Sequence, residues 1–288
     1  MAPEPAARLS AAPRPGGARA ARLTDGRLHL QHGPIDLLIG IEAEAAEVAA
    51  AEAQAVAGFA GVLETLVSEL PLLRTPLGVN PPALRGPVAQ RMLAACWPHR
   101  ATYITPMAAV AGAVADAVMQ ALGAGRRLRR AWVNNGGDIA LLLAPGEHFR
   151  VGLAGIEDGA LHGSLRVEAA DPWRGVATSG WRGRSQSLGI ADAVTVVAAD
   201  AAAADAAATL VANAVNAEHP AVRRAPARSL RDDSDLGDLP VTVAVGPLPP
   251  ATVAEALARG LAEARRMRAA GLLGAACLRL AGQVVSCP

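Results

Sequence analysis

Asp205 and Thr209 stand four residues apart in the run D-A-A-A-T. On a helix that spacing puts both side chains on one face, with their Cβ atoms about 6 Å apart. A carboxylate and a hydroxyl stacked in this way offer two hard oxygens to one cation. Mg²⁺ takes such oxygens, keeps several waters, and uses one or two protein carboxylates beside a substrate phosphate. The plainer alternative is a bond from the Thr209 hydroxyl to the carbonyl one turn earlier, with Asp205 on a solvated helix face.

Three further segments carry polar groups in apolar surroundings. In V-N-N-G-G-D-I, Val133 to Ile139, Gly136 and Gly137 let main-chain N–H groups approach a phosphate or flavin ring, and Asn134, Asn135 and Asp138 supply polar contacts. The same letters spell a hairpin turn between two strands, and turn and site are compatible. In A-T-S-G, Ala177 to Gly180, the Thr178 and Ser179 hydroxyls and Gly180 suit a phosphate or ribityl chain, or equally an ordinary strand exit. No His lies in that run, so a Ser-His nucleophile has no support there. The loop Arg182 to Ser187 interleaves Arg182 and Arg184 with Ser185 and Ser187, a composition that fits a diphosphate or a plain surface loop. Asp192 lies in I-A-D-A-V-T-V, so it is paired, metal-bound, or at a strand's first residue facing water.

The elements that must position these residues follow from pattern. Short strands joined by Asp-Gly and His-Gly-Pro turns fill the stretch to Glu42, and a one-sided apolar stripe predicts one helix from about Ala43 to Leu70. Pro71 to Pro87 reads as a loop and Val88 to Trp97 as a short helix. Thr105-Pro106 looks like an N-cap with Pro at the first helical position, opening a helix to about Leu122. Strands are expected at Arg129–Asn134, Ile139–Leu143, Phe149–Leu153, Gly163–Val167, Gly175–Thr178 and Ala193–Ala198, the last feeding the helix of Asp205. His219 to Leu239 is a polar stretch, followed by a strand (Val241–Val245), a helix (Ala251–Ala270) and a closing hairpin at Ala281-Gly282. Strands outnumber what βαβ alternation would give, so the expected class is α+β, with mixed or antiparallel sheet packed against alanine-rich helices.

Composition limits the partners. Of 288 residues, 27 are basic and 26 acidic, every basic one being Arg, for a net charge of +1. That balance gives no electrostatic case for nucleic acid or an anionic membrane. Cys96, Cys277 and Cys287 fall outside any C-x-x-C pattern and suit a reducing, cytoplasmic setting. The six histidines are scattered and read as surface residues. Residues 1–20, rich in Pro, Ala, Gly and Arg, hold no apolar run of signal-peptide length and are expected to be a disordered tail ahead of a single domain, 21–288. Thr105–Leu122 and Ala199–Val215 are nearly apolar, but each carries an Asp near its middle, which favours buried helices over membrane spans.

In this order the motifs resemble the ApbE-like superfamily, the FAD:protein FMN transferases once called thiamine biosynthesis lipoproteins. The likeness runs from about Thr105 to Val215. V-N-N-G-G-D-I matches the family's strand ending in G-G-D, and Ala177 to Gly180 its T-S-G segment. The spellings S-L-G-I-A-D-A-V-T-V and S-D-L-G (Ser234 to Gly237) are closer to a short, uncharacterised branch. The resemblance implies Mg²⁺ at Asp205 and Thr209 beside the flavin diphosphate, with FAD or FMN as the cofactor, and a possible acceptor protein. The transferases' A-K-G-Y-A-V-D segment reads here V-A-G-A-V-A-D, with Ala111 at the Lys position and Ala113 at the aromatic one. The loop ending at Asp192 also lacks the family's His. Two functions therefore follow as expectations: Mg²⁺-dependent binding or transfer of a flavin nucleotide, or binding of a flavin or other phosphate-bearing metabolite without transfer.

Overall fold

The structure is a computed structural model that describes residues 17–154 and 161–288. Most of the expected tail lies outside the described residues. The first strand, β1 (Arg19–Arg22), begins inside the stretch assigned to that tail and pairs with β2 (Leu28–His32) across the Asp25-Gly26 turn. β2 pairs in turn with β3 (Ile35–Glu42). Alternate side chains of β2 are buried, the period of a strand with one face on a core.

The single helix expected over 43–70 is three: α1 (Ala45–Phe59), α2 (Val62–Ser68) and α3 (Leu70–Leu73). Gly61, with φ of +80°, ends the first run, because a left-handed residue cannot continue a right-handed helix. The break turns Leu63, Leu66 and Val67 toward the cavity described below. After α4 (Pro87–Cys96), a 3₁₀ turn at Pro106–Ala109 leads into α5 (Val110–Gly123). Thr105 stands at the N-cap position with Pro106 after it, as expected, but its hydroxyl makes no capping bond and donates instead to Asp235 Oδ2 at 2.5 Å.

β4 (Arg130–Asn135) and β5 (Asp138–Leu143) form a hairpin, and β6 (His148–Ala154) and β7 (Leu161–Glu168) form a second one. Then come β8 (Gly175–Ser179), β9 (Ala193–Ala198) and α6 (Ala201–Ala214). The polar stretch 219–239 contains elements its composition did not suggest, β10 (Val222–Pro226) and α7 (Ala227–Leu230). β10 is held by β11 (Pro240–Val245), so its ladder rather than its side chains specifies it. The chain closes with α8 (Pro250–Ala269), β12 (Ala275–Leu280) and β13 (Gln283–Cys287).

One nine-stranded sheet runs β1-β2-β3-β4-β5-β8-β9-β12-β13, with every neighbouring pair antiparallel. The α+β class holds, with antiparallel pairing throughout the described sheets. Helices α1, α5, α6 and α8 pack on one face over the main core. On a smaller cluster, Phe149, Val151, Leu165 and Val167 of the β6–β7 hairpin meet Leu141, Val176 and Val197 of the sheet. Helix α6 is buried almost all round through Ala201, Ala202, Ala204, Ala206, Ala207 and Ala208. Short side chains let α4, α5, α8 and the strands β8 and β9 approach its backbone, which accounts for the alanine run. His32 and His99, read as surface residues, are buried. His32 packs edge-on against Phe59. Two stretches, Ala45–Ser68 and Pro106–Gly123, pass a length-and-composition test for a membrane span, and the second is 56% buried within the fold.

Candidate functional site

The site is assembled where the β4–β5 turn, the end of β8 and helices α5 and α6 meet. Asn135 and Asp138 are the last paired residues of the hairpin, so Gly136 and Gly137 form a two-residue turn with φ of +67° and +116°. Asn134 Oδ1 accepts from Gly137 N at 2.8 Å and fixes that turn. The turn is thus realised, and two residues of the same segment line a cavity. Asn134 and the two glycines shape the corner, while Asn135 and Asp138 face a cavity of about 810 Å³.

Asn135 is buried and donates through Nδ2 to Ala111 O at 3.1 Å, tying the turn to α5. Asp138 Oδ1 accepts from Thr178 N at 3.3 Å, tying it to β8. The Thr178 hydroxyl lies 2.9 Å from that of Thr195 on β9. Asp205 Oδ2 accepts from Gly112 N at 3.0 Å across the α5–α6 contact. Gly112 permits this approach, since a Cβ there would overlap the Ala201 carbonyl. One and two turns on from Asp205, Thr209 and Asn213 line the same wall. Among the described residues the Thr209 hydroxyl makes no hydrogen bond, so the expected alternative of a bond back to its own helix is not realised.

Electrostatics single out the same pair of acids. Burial pushes the Asp138 carboxyl up to about 7, against the pull of the Thr178 N–H and the Arg184 charge. Burial pushes Asp205 well above the carboxylate range, and the neighbouring Asp138 charge adds to the effect, opposed by N–H groups of Gly112 and Ala111. Two carboxylates held close in a desolvated cavity suit a divalent cation, which would neutralise both. The donor set, two carboxylates with the Thr209 hydroxyl, is all hard oxygen and fits Mg²⁺. Among the described residues no group of three or more His, Cys, Asp or Glu is placed to hold a metal, so substrate oxygens and water would complete the shell.

The remaining expected residues divide. Thr178 and Ser179 line the cavity, whereas Asn134, Gly136, Gly137, Gly180 and Asp192 do not. Asp192 stands outside the cavity wall: Oδ1 takes Arg182 Nε at 2.7 Å and Oδ2 takes Ala281 N at 2.7 Å, pinning the 181–184 loop to the β12–β13 turn. Of the three readings left open for it, pairing is the one realised. Gly180 sits against the Asp192 main chain, where a Cβ would crowd its carbonyl.

Sequence reasoning missed several lining residues. Asn213 accepts Leu188 N at 3.0 Å and anchors the β8–β9 connection, and its i+4 spacing from Thr209 was a readable signal. Arg231 and the segment Asp233 to Leu236 line the cavity. The segment is tied down by Arg74 to Asp233 at 2.6 Å, Tyr103 to Asp235 O at 2.8 Å, and Ser234 to Gln186 at 2.5 Å. Apolar side chains line the cavity too, among them Leu63, Leu66, Leu70, Leu73 and Leu236.

A family model described as AbpE bacteria matches residues 20–286. The chain belongs to that family. The match covers every site residue named above and the whole sheet except its two outermost residues, Arg19 and Cys287. Among curated relatives, the UPF0280 protein of Methanothermobacter thermautotrophicus is 40% identical over 136 residues, 46% of this chain and 50% of the relative. The UPF0280 protein of Methanoculleus marisnigri is 37% identical over 159 residues, 54% of this chain and 58% of the relative. The chain spans about half the length of the curated relatives it matches. Among solved structures, the flavinyl transferase ApbE of Pseudomonas stutzeri in its apo form aligns over 94% of this chain and 93% of its own, at 14% identity and TM-score 0.40. The flavin transferase ApbE of Vibrio cholerae aligns over 94% and 97%, at 12% identity and TM-score 0.40.

Proposed function

We propose that this chain binds a flavin nucleotide together with Mg²⁺, the ion held by Asp205, Asp138 and Thr209 and the flavin ring lying against the cavity's leucines. The observation that carries this reading is the mixed lining of one cavity. It joins two mutually close carboxylates, buried Asp138 and partly buried Asp205, and the Thr209 hydroxyl with the side chains of Leu63, Leu66, Leu70 and Leu73. A flavin nucleotide is mixed in the same way, joining a planar apolar ring to a phosphorylated chain. A cavity of about 810 Å³ is within the size range of sites for such ligands.

Bound Mg²⁺ would neutralise the two carboxylates and polarise a diphosphate toward attack by an acceptor hydroxyl. Around it, Asn135 and the Thr178 main chain hold Asp138 in place, and Gly112 and Ala111 hold Asp205. The α2–α3 leucines and Leu236 exclude water from the ring. Calorimetric titration of the metal-free full chain with FAD and with FMN, each with and without Mg²⁺, tests the reading. Affinity should rise with Mg²⁺, and combined Asp205→Ala and Thr209→Ala should abolish that rise. FAD binding that ignores both the metal and the double substitution would sink it.

A second reading, binding without transfer, is favoured by Ala111. This residue lines the cavity at the position where the transferases that the motifs resemble carry Lys, and Ala113 is fully buried where they carry an aromatic. Incubation with FAD, Mg²⁺ and candidate acceptor proteins distinguishes the two. Release of AMP with covalent flavin on the acceptor supports transfer, and intact FAD recovered from a saturated complex supports binding alone.

A further inference from the structure

Of the charged groups at the cavity, most already have partners. Arg74 is paired with Asp233, Asp235 accepts from Thr105, and Arg231 Nη2 donates to the Arg184 carbonyl at 2.6 Å. Arg184 differs. It lines the cavity, and among the described residues its guanidinium has neither a hydrogen bond nor an ion pair. It is held in place all the same. Its main chain is fixed by Arg231, and its guanidinium lies over Gly136, where a Cβ would overlap it. It is also near enough to Asp138 for its charge to pull on that carboxyl.

We propose that Arg184 is a specificity-determining residue that binds a phosphate group of the ligand and selects phosphorylated over unphosphorylated forms of the same molecule. The assignment rests on the reading that the cavity takes a phosphorylated ligand with a divalent cation. Once Asp138 and Asp205 are balanced by that cation, Arg184 is a positive charge beside them with no acid paired to it among the described residues, and it attracts an anion. A guanidinium presents its donors as a planar fork that matches two phosphate oxygens at once. The bare Gly136 turn beneath it leaves room for the fork to lie flat. Ser179 and Ser185, on either side of the same loop, line the cavity with it.

The test uses the full chain in Mg²⁺, with inorganic pyrophosphate, FMN and riboflavin titrated by calorimetry into wild type, Arg184→Gln and Arg184→Lys. Arg184 is exposed, so both variants should melt with wild type. Loss of a bidentate charge-assisted contact should weaken pyrophosphate and FMN at least about tenfold in Arg184→Gln, with Arg184→Lys between it and wild type and riboflavin within about twofold. Equal weakening of riboflavin and FMN, or unchanged pyrophosphate affinity, would overturn the assignment. So would a wild-type chain that fails to bind pyrophosphate. If wild type binds pyrophosphate through Arg184 but binds no flavin, the flavin reading fails and the phosphate assignment stands.

Discussion

Buried Asp116 on α5 and partly buried Asp205 on α6 reach across the same helix contact in opposite directions. Asp116 accepts from Ala201 N at 3.1 Å and Ala202 N at 2.9 Å, at the start of α6. Asp205 accepts from Gly112 N, near the start of α5. Each therefore meets orphan donors in the first turns of the other helix. They differ in what lies on the other side. Both Asp116 oxygens are spent on α6, and the residue is absent from the cavity wall. Asp205 opens on the cavity and faces a second acid, Asp138. Burial by itself marks neither; acceptor capacity turned toward a cavity separates a binding group from a fastening.

The largest effect expected from that contact is at its closest point. Gly112→Ala drives a methyl into the Ala201 carbonyl, and backbone cannot yield as a side chain does, so about 3 kcal/mol of stability should be lost. A denaturant melt checks it. Asp116→Ala leaves two N–H groups of α6 without acceptors and should cost about 2 kcal/mol, with Asn recovering part by keeping one acceptor. The Mg²⁺ dependence of any ligand binding should survive in whatever fraction folds. Asp205→Asn should do the reverse: Mg²⁺-dependent binding is lost, while the metal-free chain stays as stable as before or becomes more so.

The sign of that last expectation follows from the pKa shifts. Asp116 is raised from 3.8 to about 6 and Asp138 from 3.8 to about 7, both chiefly by burial, so the folded chain holds these protons more tightly than the unfolded chain. Their contribution to stability is complete below the ordinary carboxylate value and is lost as pH rises through the folded values. Metal-free protein should therefore melt at a lower temperature at about pH 8 than at about pH 5, and added Mg²⁺ should close part of the gap. Asp205→Asn, which removes one of the repelling charges, should flatten the profile. A melting temperature that rises with pH would break the assignment of Asp138 and Asp205 as a desolvated pair.

Much of this was legible in the residues. The period-two strands, the Gly136-Gly137 turn and the i,i+4 pair on α6 are local patterns, and local patterns survive folding. What the sequence withheld was tertiary. The helix over 43–70 has an unbroken apolar stripe, and only the left-handed Gly61 divides it. β10 exists through its pairing with β11, since Arg223 and Arg224 carry no strand signal of their own. In the sequence Asp116 is one letter of V-A-G-A-V-A-D, and its use as a fastening for α6 depends on a helix distant in the chain. Arg184 and the Arg231 to Leu236 segment come to the site from loops, whose course no periodicity encodes.

Asp192 gives the comparison its finest test, with the smallest effect. By letters alone it looked as much like a site residue as Asp205 did, a charge inside an apolar run. In the fold both its oxygens are spent, one on Arg182 and one on Ala281 N, and it stands outside the cavity. Asp192→Asn keeps an acceptor for the Ala281 N–H and gives up only the charge opposite Arg182, which is itself stacked on Trp181. The expected loss is about 1 kcal/mol of stability, with ligand affinity and its Mg²⁺ dependence unchanged. If affinity instead fell as far as it does in Asp205→Asn, a spent carboxylate would matter to the ligand as much as an open one. The distinction between fastening and binding would then have to be drawn by some property other than where the acceptors point.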